Sequence, residues 1–516
     1  TRRDSELVHQ VRRNGRRLRN RLKELQARYP HMIRSIRGRG YLLGIEFGIQ
    51  RSTWSESVLG AFAEQGIFTP LFASYLLNVE GIRVAPTLNG KSVIRIEPAL
   101  TFTWTECEEL LAGLQRALEA FSDGNIGRIF SALMNPRRAV STPPAVIEKE
   151  PVVEPRANEK RFAFLMHPLN AESLADFDPS LAQLSLGDLE NLQKRLSGLV
   201  EPFVLNETRI VSATGESIYG EFIIVPRTAR EMVELPRAQV AAEVQAAMEL
   251  ARSRGAQMVG LGAYTSVVTR GGHSLAGQGV PLTTGNSFTA VACTEGIQLA
   301  LARMGQRLGA DTCAAIVGAT GSIGRAMAVM LSGDIGRLVL IGNPEANPAQ
   351  VRCRIRKVAA DICRHLAASH AAGKRFEPGT LGDRLLQFAD WLPTDTATDE
   401  SFLELADKLA ATGALIFSQD AHATVPLANI VVTSTSAPGT LIGPADLALG
   451  AVVCDLSRPA NVSREVAGAR PDVLVIEGGV VAVPGQPKLG RFGLGRGNAF
   501  ACMAETMLLT LAGHFK

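Results

Sequence analysis

The sequence predicts an α/β protein built on a doubly wound, mostly parallel sheet, and three observations carry the prediction. The first is the stretch Ala314 to Gly324, A-A-I-V-G-A-T-G-S-I-G. It reads as a short buried strand, a glycine turn and the start of a helix. The second is the alternation that follows. Apolar runs at Arg337 to Ile341, Ala414 to Ser418, Ile430 to Thr433, Ala451 to Asp455 and Val473 to Glu477 are strand-like. Gln350 to Ala371 and Asp399 to Ala411 between them are helix-like. Strands alternating with helices imply parallel pairing with helical crossovers. The third is bulk composition: 516 residues, 46% hydrophobic and 20% charged, which suits more than one globular domain.

Composition also excludes some functions. A net charge of +4 is small for this length and argues against a nucleic-acid partner. The seven cysteines form no C-x-x-C pair, are odd in number and lie near no histidine cluster, so the sequence predicts a reducing cytoplasm and no metal site. No apolar run is long enough to span a bilayer. Thr1 opens the chain inside an arginine-rich helical pattern, which predicts a fragment of a longer polypeptide.

Asp4 to Ala27 is predicted to be an amphipathic basic helix, with Leu7, Val8, Val11, Leu18, Leu22 and Leu25 on its apolar side. Its arginines either meet an acidic partner or form a solvated face. Strands and helices follow through Phe68. After Val93 to Leu100, a helix is expected from Thr105 to Phe121, capped by Thr105 with Glu106, Glu108 and Glu109 in its first turn. The proline-rich stretch from Ser122 to Lys160 reads as an extended linker. Phe162 to Leu169 opens the next domain with a strand. Arg209 to Ser212 and Ser217 to Ile224 flank a hairpin-type connection, and Arg237 to Ser253 is a helix. Met258 to Ser266 and Leu282 to Ala290 lead into a helix ending near Met304. Last comes the glycine-rich loop Gly490 to Gly497, ahead of a helix from Asn498 to Gly513. The predicted domains are 1–121, a linker at 122–160, a substrate part at 161–305 and a nucleotide part at 306–516.

Gly318, Gly321 and Gly324 are spaced G-x-x-G-x-x-G. The first permits a tight turn, the second lets backbone approach a pyrophosphate, and the third lets helix and strand pack closely. The N–H groups of Gly318, Ala319, Thr320, Gly321, Ser322, Ile323 and Gly324 are therefore the predicted dinucleotide cradle, in a Rossmann-type sheet. The second strand ends at Ile341-Gly342-Asn343 with no carboxylate before Glu345, and Arg352 and Arg354 follow. That favours NADPH, with Asn343 beside the ribose. All five tyrosines precede the turn, which excludes a downstream Y-x-x-x-K alcohol–ketone chemistry. Thiol chemistry remains. With Asn498 as cap, Cys502 would lie one turn into a helix whose dipole lowers its pKa; the alternative is a packed thiol on an apolar face. Cys293 is the rival. Thr283, Thr284, Gly285 and Asn286 either border the nicotinamide or cap a helix. His273 is a proton donor or a loop histidine, Glu505 is expected to stabilise a helix, and Arg227, Arg230 and Arg237 dock an acidic carrier or are solvated. Tyr264 and Phe288 line a chain-binding tunnel or belong to the core.

Two resemblances sharpen these readings. R-G-R-G-Y-L-L-G-I-E-F (Arg37 to Phe47) and I-R-I-E-P-A-L-T-F-T (Ile94 to Thr103), with the closing helix, resemble the C-terminal small domain of class III PLP-dependent aminotransferases over residues 1–121. That resemblance implies that Arg95 lies near the substrate carboxylate or its acidic counterpart. Its cofactor-binding large domain, with the Schiff-base lysine, is missing, so PLP is implied only for a full-length protein. Residues 161–516 resemble the long-chain acyl-[acyl-carrier-protein] reductases. The shared stretches are V-S-A-T-G-E-S-I-Y-G-E-F, G-L-G-A-Y-T-S-V-V, L-T-T-G-N-S-F-T-A, V-G-A-T-G-S-I-G, I-E-G-G-V-V and N-A-F-A-C-M-A-E-T-M-L-L. This resemblance implies Cys502 as acyl carrier and NADPH at the glycine turn. The implied partner is an acyl-carrier protein or acyl-CoA thioester, with peripheral membrane association through the acyl chain. The expectation is an aldehyde-forming reductase fused to an aminotransferase that turns the aldehyde into an amine, homo-oligomeric through the aminotransferase part. The alternative is a PLP-dependent aminotransferase with a non-catalytic nucleotide-binding scaffold.

Overall fold

A computed structural model describes residues 2–50, 54, 57–87, 92–134, 153–388, 398–437, 439–487, 489, 490 and 492–515. The chain divides into two compact units, Thr1–Gln257 with Pro487–Arg496, and Met258–Gln486 with Gly497–Lys516.

The first unit opens with α1 (Arg2–Arg28), whose Leu18, Leu22 and Leu25 recur at helical spacing and are buried. A hairpin of β1 (Ile33–Arg39) and β2 (Leu42–Phe47) follows. A Cβ on Gly15 would stand 2.3 Å from the Gly40 carbonyl oxygen, so a glycine lets the helix lie on the hairpin turn. Next come α2 (Val58–Glu64), α3 (Phe68–Asn78), β3 (Ala85–Pro86), β4 (Val93–Ile96), α4 (Trp104–Ser122) and α5 (Ile126–Met134). The four strands form one antiparallel sheet in the order β1-β2-β4-β3. An aromatic cluster fills its core, with Phe72 and Phe121 edge-on at 5.1 Å. The cap of α4 is Thr103, not Thr105: Thr103 and Glu106 exchange hydrogen bonds in a capping box. The expected linker begins with structure, because α5 occupies it; residues 135–152 lie outside the described residues.

The rest of this unit holds β5 (Lys160–Met166), α6 (Leu174–Phe177), α7 (Leu186–Leu196), β6 (Phe203–Val211), β7 (Ser217–Ile224), α8 (Ala229–Glu234) and α9 (Arg237–Ser253). β7 pairs antiparallel with β6 and parallel with β5. A carboxylate knits this segment to the earlier one. Asp178, fully buried, accepts from Ser57 Oγ at 2.9 Å and Val58 N–H at 3.1 Å through one oxygen. Its other oxygen accepts from the hydroxyl and N–H of Ser180. It thus caps the start of α2 from 120 residues away. Burial pushes its pKa up, and these donors pull it back. Gly127 fits against the Ser180 carbonyl, where a Cβ would sit at 1.9 Å, and Gln65 exchanges two hydrogen bonds with the backbone of Glu201.

The second unit begins with β8 (Met258–Leu261), α10 (Tyr264–Val268), β9 (Leu282–Thr283) and α11 (Asn286–Arg303), β8 and β9 pairing in parallel. Then come β10 (Cys313–Val317), α12 (Ser322–Leu331), β11 (Arg337–Ile341), α13 (Pro348–Ala371), α14 (Leu381–Leu386), α15 (Asp399–Ala411), β12 (Leu415–Ser418), α16 (Ala421–Thr424), β13 (Ile430–Thr433), β14 (Val452–Asp455), α17 (Val466–Ala469) and β15 (Leu474–Glu477). Six strands form a parallel sheet in the order β12-β11-β10-β13-β14-β15. The chain starts mid-sheet at β10, steps out to one edge, then returns to β13 and steps to the other. The expected α/β class with parallel strands is therefore present. Both faces are buried, as all-apolar parallel strands require. Ala314 and Ile316 face a core with α11, α12, α13 and α15, while Ala315 and Val317 face Val425, Ile442, Leu447, Val462 and Val466. β16 (Val480–Ala482), β17 (Asn498–Phe500) and α18 (Ala501–Ala512) complete the unit. No helix among the described residues is long and apolar enough to cross a membrane.

Candidate functional site

The glycine turn forms as its spacing predicts. Gly318 has φ +88°, and its N–H and that of Ala319 donate to the Ile341 carbonyl at 3.0 and 3.1 Å. A Cβ on Gly318 would stand 2.7 Å from the Ser434 carbonyl oxygen. One on Gly324 would stand 2.4 Å from the Gly318 oxygen and 2.8 Å from Ser434 Oγ. Both glycines are therefore required by close packing against the end of β13. Gly321, exposed, is the N-cap of α12 and has no side chain with which to close the first turn, so the leading N–H groups have no capping side chain there, while its own N–H donates to the Gly318 carbonyl at 3.0 Å. Asn343 lies exposed just past β11. Its side chain accepts from the Glu345 N–H at 2.9 Å, and its carbonyl accepts from Gln419 Nε2 at 2.8 Å.

Beside this turn is a polar web that sequence reasoning missed. Asp455 accepts from Thr433 Oγ1 at 2.6 Å and from the N–H groups of Ser457, Asn461 and Val462, each at 2.9 Å. Asn461 in turn accepts from Thr435 Oγ1 and donates to the carbonyls of Ala437 and Gly439. These bonds fix the loops after β13 and β14. The signal available in sequence was only an acidic residue ending an apolar strand ahead of S-R-P-A-N.

The thiol environment differs from expectation. Asn498 does not cap a helix. It sits in β17, paired with β16, and α18 starts at Ala501 behind Phe500, which makes no capping bond. Cys502 is half-buried in the first turn, and burial pushes its thiol up to about 11. The helix dipole is outweighed by desolvation, so the expected low-pKa thiolate is corrected to a protonated thiol at neutral pH. The start of α11 lies directly on it: a Cβ on Gly285, φ +69°, would stand 2.2 Å from Cys502 Cα. Glu505 holds this junction by accepting from Thr283 Oγ1 and from the Phe288 N–H at 2.7 Å. Its helix-stabilising role thus acts on a second helix. Thr284 and Asn286 lie half-buried in the same turn.

The rival Cys293, on α11, shares a hydrogen bond with Cys454 inside the apolar core, and both are buried. His273 is exposed and its ring bonds the Arg270 carbonyl, as a loop histidine does. Tyr264 is buried with its hydroxyl on the Ser436 carbonyl. Arg227 and Arg230 are neutralised by Glu243 and Glu234 at 2.8 and 2.7 Å, which leaves neither as a free docking charge. Arg95 is exposed, 3.4 Å from Glu97. Among the described residues no group of three His, Cys, Asp or Glu side chains is arranged to hold a metal ion.

Comparison with known proteins decides between the two functional readings. Residues 2–118 match the aminotransferase class-III family. Aminotransferase PigE of Serratia sp. (strain ATCC 39006) is 27% identical over 361 residues, 68% of this chain and 36% of PigE. An uncharacterized aminotransferase of Schizosaccharomyces pombe is 32% identical over 117 residues, 23% of each chain. The chain therefore spans well under half the length of these relatives. Among solved structures, acetylornithine aminotransferase from Elizabethkingia anophelis matches 23% of this chain and 25% of its own at 19% identity, with a TM-score of 0.17. The acyl-thioester reductase expectation, with NADPH as hydride donor and an aldehyde passed to the aminotransferase part, is overturned. The family match is to an aminotransferase, and the PigE similarity runs far beyond residues 2–118. The class-III match implies PLP as the cofactor of that family.

Proposed function

We propose that residues 2–118 serve as the small domain of a class III PLP-dependent aminotransferase and that the second unit is a nucleotide-binding scaffold without chemistry of its own. The class-III match over residues 2–118 carries the reading.

PLP, when bound, supplies the electron sink for moving an amino group. The residues present do not fit it by themselves. A cofactor-holding lysine is shielded from water, and no lysine is among the buried side chains of the described residues. The lysine belongs to a partner segment. This chain's share is the substrate side, where exposed Arg95, opposite Gly44 in the β2–β4 pairing, offers a guanidinium to a carboxylate. Deleting residues 2–118 from a polypeptide that also carries the cofactor-holding part should abolish transamination of an amino donor, read as loss of keto product. Unchanged kcat/KM would overturn the reading.

In the scaffold, the turn at residues 318 to 324 is the phosphate cradle of a Rossmann-type, doubly wound sheet, acting through the N–H groups at the start of α12, because those expected from Gly318, Ala319 and Gly321 are spent on the Ile341 and Gly318 carbonyls. Support comes from the strand order, which reverses between β10 and β13 beside that turn, and from the open N-terminus of α12. Asn343 lies beside the ribose, and Thr284 and Asn286 belong to the same unit. The lack of a carboxylate at the end of β11 favours NADPH over NADH. Equilibrium titration of the two dinucleotides by fluorescence tests this, and equal or absent binding refutes it.

A further inference from the structure

We propose that α1 is a docking face for an acidic helix on a partner protein. The charge of this chain is segregated. Residues 2 to 28 hold ten Arg and Lys against three Asp and Glu, a net +7, whereas the whole chain carries +4, so the remainder is net −3. The sequence alone left these arginines open between a partner and a solvated face. Their arrangement decides for a partner.

Arg12, Arg16, Arg19 and Lys23 follow one another at steps of four, three and four residues, so they form a stripe down one side of the helix. All four are exposed. Among the described residues none of the four has an ion-pair partner. The other exposed side differs: Arg17 stacks over Trp104 with its guanidinium 3.7 Å from the ring centroid, and Arg21 pairs with Glu24 at 3.1 Å. On β1, Arg34 and Arg37 share Glu46 at 4.0 and 3.4 Å. The stripe is thus a row of uncompensated like charges on a helix held rigid by its buried face, where isolated repulsion at these spacings is destabilising.

Its length selects the occupant. Eleven residue steps span roughly 17 Å, about three turns, which one helix bearing carboxylates at the same intervals covers fully. The rest of the chain is net −3 by count, so an extended nucleic acid gains no overall positive charge beyond α1. A membrane would need an apolar face, but Leu18, Leu22 and Leu25 are buried in the unit. Exposed Val8, 47% accessible, offers a small apolar contact at the end of the stripe.

The test uses the whole chain and a designed helical peptide with glutamates at i, i+4, i+7 and i+11, followed by anisotropy. Binding should weaken with salt, and replacing Arg12, Arg16, Arg19 and Lys23 together by Gln should weaken it roughly tenfold or more, the scale of several exposed ion pairs. Circular dichroism and thermal melting of that variant should match the parent, since Gln is a good helix former. Replacing Arg13 and Arg28 instead should leave binding unchanged. No binding of the peptide, equal binding by the two sets of variants, or tighter binding of duplex DNA or phosphatidylserine vesicles than of the peptide would each overturn the proposal.

Discussion

Two glycine turns in the second unit look alike in sequence and differ in what they face. In both, a glycine stands where a Cβ has no room. At Gly318 and Gly324 the obstruction is the chain's own turn and the adjoining end of β13, and the leading N–H groups of α12 stay open. At Gly285 the obstruction is the backbone of Cys502, 217 residues away, and the leading N–H of α11 at Phe288 is closed off by Glu505. The first turn presents donors to solvent. The second spends its donors on holding two helices together, and the thiol is caught in that contact. Glycine at a strand–helix turn therefore signals close approach, and only the neighbours reveal whether the approach is to a ligand or to more protein.

The comparison breaks most sharply at Gly285. Gly285→Ala combines a left-handed φ with contacts of 2.2 and 2.3 Å to Cys502, so unfolding of this unit should lose roughly 3 kcal/mol or more in denaturant titration. Gly324→Ala, in ordinary helical backbone but 2.4 Å from the Gly318 oxygen, should cost about 2 kcal/mol and weaken dinucleotide binding as well. If Gly285→Ala proves the milder of the two, the junction is softer than its geometry. Glu505→Ala removes the cap of α11 and should cost about 1–2 kcal/mol without changing dinucleotide affinity.

The thiol offers a pH test. Because burial raises Cys502 to about 11, it should be alkylated by iodoacetamide far more slowly than exposed Cys353 at pH 7. Its rate should climb as pH rises toward that value. A raised thiol pKa favours the folded state at low pH, and this contribution fades once pH passes the ordinary thiol range. Rapid labelling of Cys502 at neutral pH would restore the thiolate. The smallest effect is at a surface pair, where Asp446 raises the pKa of exposed His422 across a 2.7 Å contact. That pair supports folding below the ordinary histidine range and is lost as pH rises through the raised value. Asp446→Asn should bring the His422 titration, followed by NMR, back toward ordinary.

What sequence made legible was local. Arg337–Ile341, Ile430–Thr433, Arg237–Ser253 and Asp399–Ala411 match their predicted bounds, because apolar period and nearby caps decide them. The cap of α4 was misplaced by two residues since Thr103 and Thr105 each precede an acidic residue by three, and only Thr103 closes the box. Asn498 misled for the opposite reason: pairing with Val480 to Ala482 pulled it into a strand, overriding its capping propensity. Asp178, Asp455 and Glu505 were illegible as organisers because their partners are set by tertiary approach.

Asp178 has one more consequence. The family match stops at residue 118, yet the first turn of α2 inside it is completed by a carboxylate beyond that border. Anyone transplanting the class-III segment into another enzyme by cutting at the border would leave Ser57 and Val58 facing a hole. A graft extended through Ser180 brings its own plug.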